Sequence, residues 1–202
     1  MFFVLATVVS LAVAFLRGRT PEDIVRRPFR LWQLAIVGVI LHFVVNLSAF
    51  SMVLATHPGD TPLPLGALLY LASFAFLIVF LVANFTQPGF PALLLGLLLN
   101  LVAIASNNGQ MPGDPRQLAA AGLLEIQRAE MAAGLWSPFS LMGPSTHLAL
   151  LGDRILVPLP FRHPVVVSLG DLIIALGCFL FCNDPFRRST TFSMRRPRLD
   201  IG

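Results

Sequence analysis

Two ionisable side chains stand in strongly apolar surroundings, His42 and Asp171. Such residues are costly in a membrane interior, so they are candidates for function before anything else. A carboxyl and an imidazole in a low-dielectric site could hold a cation, bind a polar ligand or relay a proton. Their chemistry depends on what else reaches them. Asn46 follows His42 by one helical turn, and Asn100 lies near the end of a later apolar run. Asn107, Asn108 and Gln110 come just after it, and Thr146 and His147 sit in the connector that leads back to Asp171. Brought to one depth, Asn46, Asn100, Asn107, Asn108, Gln110, Thr146, His147 and Asp171 would line a polar pocket for a small ligand.

The competing reading is structural, and it carries more weight. Asn, Ser and Thr in membrane helices often only bond one helix to another, at about 0.6 kcal/mol per contact. Asp171 could cap loop backbone or pair with Arg154 or Arg162. His42 beside Asn46 reads first as a hydrogen-bonded packing residue. No residue is assigned as catalytic: Ser145-Thr146-His147 sets a hydroxyl beside an imidazole in sequence only, which is not triad geometry. HExxH, CxxC, P-loop and GxSxG patterns are missing. Cys178 and Cys182, at i and i+4, read as packing residues, and neither a metal nor a cofactor is indicated.

The elements that must position these groups are greasy. Hydrophobic residues make up 56% of the 202 and charged ones 12%, against about 25% charged in a soluble domain, so the apolar surface must face lipid. The expected architecture is an all-α integral membrane bundle of five transmembrane helices over residues 1–182. Its spans are about 1–16, 31–55, 65–86, 90–106 and 165–182. Residues 1–16 lack a basic start and are followed by Arg17 and Arg19, which reads as an uncleaved first span. Thr20-Pro21-Glu22-Asp23 reads as the start of a short surface helix. Gln87-Pro88-Gly89 is a tight turn between antiparallel helices.

The long connector, 107–164, reads as a cap. Asp114-Pro115 pairs an N-cap with a first-turn proline, so an amphipathic helix is expected over Arg116–Ala133, with Gly134 as its C-cap and Trp136 as an interface anchor. Beyond Trp136, prolines at 138, 144, 158, 160 and 164 rule out long regular structure. The apolar run 146–157 suggests a re-entrant piece.

Arginine sets the orientation. All 14 basic residues are Arg; five lie in 17–30, five in the tail 183–202, and four are spread over the cap. The positive-inside rule then puts the N-terminus outside, the cap outside and the basic tail in the cytoplasm of a bacterial inner membrane. The flanks would attract anionic lipid. The expected partners are the bilayer and other membrane-protein subunits, with no nucleic acid.

Three motif groups carry a likeness: Asn107-Asn108-Gly109-Gln110-Met111-Pro112, Leu151-Gly152-Asp153-Arg154-Ile155 with Pro158 and Pro160, and Val167-Ser168-Leu169-Gly170-Asp171. Through them the chain resembles a bacterial family of small multi-span membrane proteins known only as a domain of unknown function. The resemblance implies no substrate and no catalytic residue; it implies that these motifs belong to the shared core of the fold. The leading expectation is a non-enzymatic accessory subunit or small-ligand-binding protein with a polar pocket in the outer leaflet. Alternatives are a small-solute transporter or proton-linked carrier using Asp171 with His42, and an outer-face membrane enzyme using His147 and Asp171.

Overall fold

Long apolar runs with no charge and few β-branched clusters favour helix, and glycines, prolines and asparagines end each run. In the computed structural model, which describes residues 2–18, 28–59, 61–159 and 162–183, these runs become the helices α1 (Phe2–Leu16), α2 (Trp32–Val44), α3 (Ser51–Leu54), α4 (Leu65–Ala83), α5 (Phe90–Ala105) and α8 (Leu169–Cys182). They pack in the spatial order α2, α4, α5, α8, α1. The surface-helix start at Thr20 and most of the basic tail lie outside the described residues.

The chain is mostly helical, but the five expected spans do not come out as five full-length helices. Among the described residues, α4 alone is long and apolar enough to cross a membrane by itself. Its 19 residues reach about 28 Å at 1.5 Å per residue. The expected span 31–55 is broken: α2 ends at Val44, and the chain re-enters helix bent by 74°. The break falls at Val45-Asn46-Leu47, where Asn46 turns its side-chain amide back to the His42 carbonyl at 2.6 Å. That i−4 bond competes with continued helix. α1, α5 and α8 are shorter apolar helices.

The expectation of an all-α chain also needs correcting. The cap holds two small sheets. β1 (Met111–Gly113) pairs in parallel with β2 (Phe139–Leu141), and β3 (Ile155–Leu159) pairs antiparallel with β4 (Arg162–Val167). β4 takes up residues expected to start the last span, so α8 begins only at Leu169. The run 146–157 is a one-turn 3-10 helix at Ala149–Leu151 followed by β3, not a re-entrant helix. The valines of β4 and the branched residues of β3 explain the preference for strand.

The cap helix is divided. Asp114 accepts a hydrogen bond from the Arg116 amide at 2.8 Å and Pro115 follows, as the N-cap reading requires. But α6 (Pro115–Ala120) stops at Gly122, whose φ of +72° suits glycine, and α7 (Leu124–Ala132) starts anew. In α7 the polar Gln127 points inward, while Ile126 and Met131 point out. Trp136 is not an interface anchor either. It is 5% exposed, packs on Gly66 of α4 and donates Nε1–H to the Val45 carbonyl at 3.2 Å.

Small residues let α5 and α8 approach closely. A Cβ at Gly96 would sit 2.5 Å from the Gly170 carbonyl oxygen, and one at Gly177 would sit 2.7 Å from the Leu93 amide nitrogen. At the other end Phe29, Phe80 and Phe181 gather round Phe90, with centroids 5.4 to 6.0 Å away. The core runs without interruption from Leu81 and Phe90 through Tyr70 and Leu97 to Met111 and Trp136 of the cap. Cys178 and Cys182 are not joined in a disulfide.

The seam yields a test. Gly96→Ala forces backbone apart and should destabilise by about 1–3 kcal/mol, as overpacking does. Gly143→Ala, with open space around it and an ordinary φ, should melt with the wild type. Equal melting of both variants in detergent would show that the α5–α8 approach is not tight.

Candidate functional site

The residues proposed from sequence fall into three groups. In the first, Asn100 and Asp171 meet directly. Ser168 and Asp171 form a capping box at the start of α8: the Asp171 amide donates to Ser168 Oγ at 3.0 Å, and the Ser168 amide donates to Asp171 Oδ2 at 3.1 Å. Asn100 on α5 closes this box from the side. Its Nδ2 donates to Asp171 Oδ1 at 2.8 Å, and its Oδ1 accepts from Ser168 Oγ at 2.8 Å. Both carboxyl oxygens of Asp171 are therefore engaged, Oδ1 in holding α8 to α5 and Oδ2 in capping the start of α8. Asp171 lies in the first turn of its helix rather than one and a half turns inside it.

The second group ties down the cap. Asn107 donates to the His147 carbonyl at 2.8 Å and accepts from the His147 amide at 3.0 Å, so it pairs with that residue as a neighbouring strand would. Gln110 donates to the Ser137 carbonyl at 2.8 Å. Thr146 Oγ1 accepts from the Gly143 amide at 2.8 Å and closes a turn. Asn108 is exposed and takes φ +56° in the turn before Gly109. The His147 side chain is exposed, and no hydrogen bond joins it to Asp171 among the described residues.

The third group is apart. His42 packs against Tyr70 and Phe74, with centroids 5.2 and 5.8 Å away, and its Nδ1 is 3.5 Å from Ser73 Oγ. Asn46 lies one turn further on, at the break after α2.

Asn46, unlike the others, borders a cavity of about 230 Å³. The cavity lies between the broken end of α2 and the cap, with Val45, Leu123, Gln127, Trp136, Phe139 and Asp153 among its walls. Its polar wall is well built. Gln127 Nε2 donates to Ser137 Oγ at 3.1 Å and to the Phe139 carbonyl at 2.9 Å. The Trp136 amide donates to the Ser51 carbonyl at 3.0 Å, locking the cap to α3.

Asp153 is the exception. It is 6% exposed, and its Oδ1 is buried without a hydrogen-bond partner. Its backbone is fixed on both sides: its amide donates to the Pro112 carbonyl at 2.8 Å and its carbonyl accepts from the Asp114 amide at 2.9 Å. The backbone is thus held in place, while Oδ1 has no hydrogen-bond partner among the described residues. Arg154, next in sequence, lies 4.0 Å from Asp114 instead. Burial, and then the nearby Asp171, push the Asp153 carboxyl well above its ordinary range. A buried polar group with no partner is rare enough to require a reason.

Asp153, Trp136, Gln127 and Ser137 are not among the site residues that the sequence suggests. Asp153 stands in one of the three motif groups, Leu151-Gly152-Asp153-Arg154-Ile155, and the motif itself is the signal. Gln127 is hidden because it reads as the solvent face of an amphipathic helix. No group of three or more metal-ligating side chains occurs among the described residues.

The fold and site thus define a mostly helical protein in which a small mixed cap closes one end of an apolar bundle over a cavity. The chain belongs to a family of unknown function (DUF5317), whose model matches residues 26–183 and so takes in the cavity, the cap and all three motif groups. It is 30% identical over 120 residues to a Thermotoga maritima protein described as an uncharacterized protein, covering 59% of this chain and 65% of that one. The chain thus spans just under two thirds of that relative's length. No solved structure matches.

This geometry gives two tests. Asn100→Ala strands Ser168 Oγ and one oxygen of Asp171, each costing about 1–3 kcal/mol, whereas Asn46→Ala at an exposed position should stay within about 0.5 kcal/mol. Similar melting of the two variants would remove the clamp from its central place. Asp153 gives a pH signature. Its folded pKa is raised, so its contribution is fully present below the ordinary carboxyl value, about 3.9, and is lost as pH rises through the folded value. Asp153→Asn should therefore gain stability relative to wild type on going from about pH 4 to pH 8, read by paired thermal melts. Parallel pH curves would contradict the buried neutral carboxyl.

Proposed function

We propose that this chain is a multi-pass protein of the bacterial cytoplasmic membrane that binds a small ligand in the cavity beneath its cap, without chemistry of its own. One observation carries the reading: Asp153, whose backbone is fixed, lines the cavity and holds a buried oxygen that nothing in the described chain satisfies. Small-molecule sites are mostly apolar hollows with a few fixed polar groups. This one has that composition, with Gln127 and Ser137 supplying the other polar contacts.

Membrane placement rests on the apolar side chains turned outward along the bundle. Val8 and Val9 on α1, Val39, Ile40 and Phe43 on α2, Val79 and Val82 on α4, Leu95, Leu98 and Val102 on α5, and Leu172 and Leu176 on α8 are all exposed. A contiguous apolar surface of this kind fits lipid. On this reading α1, the bent α2–α3 unit, α4, α5 and α8 are the five membrane segments. The cap at 107–164 faces outside, the N-terminus is outside, and the tail after Asn183 is cytoplasmic, with the Arg-rich flanks on anionic lipid. Exposed Ile126 and Met131 give the cap a second contact with the bilayer surface or with another membrane subunit.

A proton-linked carrier is the second reading, and it is favoured by the closeness of two buried carboxyl groups, Asp153 and Asp171, which feel one another's charge. In that reading Asp153 rather than Asp171 takes the mobile proton, because the Asp171 oxygens are already engaged. The enzyme reading draws no support from the distribution of His147 and Asp171 over separate bonding groups.

Two experiments test the proposal. A membrane-impermeant maleimide should label Arg128→Cys, an exposed position on α7, from outside intact cells; labelling from the cytoplasmic side alone would reverse the topology. For the cavity, a library of fragments of about ten non-hydrogen atoms should contain members that raise the melting temperature of the protein in nanodiscs. Leu123→Trp, which fills the rim, should lose that response. If no fragment stabilises the wild type, the cavity is not a binding site.

A further inference from the structure

Among the described residues the walls of the cavity carry acid and no base: Asp153 and Glu130 line it, and no Arg, Lys or His does. The backbone adds to the same sign. α2 ends at Val44, and Val45, Asn46, Leu47 and Ser48 form part of the wall, so the negative end of the α2 dipole points to this space. Two aromatic rings complete it, Trp136 and Phe139, and a ring face attracts a cation. An anion would meet two carboxyl groups and a helix C-terminus. Inorganic cations need several oxygen ligands, and the Gln127 amide oxygen is turned to the Ser137 hydroxyl at 3.4 Å. The remaining space is apolar, from Leu118, Leu123, Ile126 and Val166.

We propose that the ligand is a small organic cation, a protonated amine on an apolar body, with the Asp153 carboxylate as its counter-ion. This rests on the cavity being a binding site and adds the charge class of what binds. The ammonium pairs with the Asp153 carboxyl where that residue lines the cavity, and the body lies against Trp136, Phe139 and the leucines. The cavity, about 230 Å³, exceeds the 150 Å³ space that holds benzene, so a body of about ten non-hydrogen atoms fits. Among the described residues the ionisable groups around Asp153 are Asp171 of α8, Tyr70 of α4, Glu130 of α7 and the Asp114–Arg154 pair. Arg154 stands by Asp114 and is not among the described residues of the wall, so the ligand brings a positive charge that these residues do not supply. Binding then expels the proton of Asp153 and tightens as pH rises.

The test uses three probes of one shape and different charge: phenethylammonium, phenethyl alcohol and phenylacetate. Each is titrated calorimetrically into the full chain in nanodiscs, with empty nanodiscs to subtract partitioning into lipid. The ammonium should saturate at one site, at least about tenfold tighter than the alcohol, and phenylacetate should not bind. Asp153→Asn should bring the ammonium down to the level of the alcohol. Should that variant fail to fold, Glu130→Gln at the rim should weaken the ammonium by a few-fold and leave the alcohol unchanged. If alcohol and ammonium bind alike, or bind alike to wild type and Asp153→Asn, the cation assignment falls and the cavity remains a site. If none of the three binds while fragments from the neutral library do, the cation assignment again falls alone. If neither these probes nor any fragment binds, the site itself falls.

Discussion

Everything at the capped end of the bundle depends on the bond set among Asn100, Ser168 and Asp171. In an apolar bundle an unsatisfied polar group costs about 1–3 kcal/mol, so polar side chains that enter must find one another. Here three of them do so completely. Each amide, hydroxyl and carboxyl group of the set has a partner, and the set spans 71 residues of chain. This fixes where α8 starts. It thereby fixes where β4 ends, and β4 sets the register of β3 and of Asp153 at its foot. Gly170 belongs to the same constraint, since a Cβ there would run into the Asn100 amide.

The contrast between Asp171 and Asp153 comes from the same rule. Both are aspartates after Gly in short motifs, and both are largely enclosed. Asp171 has its bonds supplied by its own helix and by α5. Asp153 has its backbone held by bonds to Pro112 and Asp114, yet its buried Oδ1 has no partner among the described residues. The aspartate that stands out in the sequence is thus the fully bonded one of the two.

The sequence is legible where local rules act alone. Asp114-Pro115 and Gly134 mark helix ends correctly, and the turn at Gly89 joins two antiparallel helices. Asn100 and Asp171, 71 residues apart, are expected at one depth, and they bond. It is less legible where tertiary contacts override a pattern. Residues 165–167 read as membrane helix because valines are apolar, but they pair with β3 instead. Residues 31–55 read as one span, because nothing in the composition announces that Asn46 turns its amide back on His42. Trp136 reads as an anchor because Trp is common at interfaces; only the gap left by Gly66 shows where it goes. The partnerless oxygen of Asp153 is invisible in sequence, since it is defined by what is not nearby.

One bond at the far end of the molecule bears on how the protein is made. Asn183 donates to the Ser10 carbonyl at 3.1 Å, across 173 residues, and α1 packs on α8. Of the described helices, α1 therefore waits for α8, which is made after it. Until α8 emerges, α1 lacks its main packing partner, and the groove on α5 lined by Gly96 stays open. The cap is also synthesised before the helix that pins it. Docking of α8 between α5 and α1 thus closes the cap, the bundle and the cavity together.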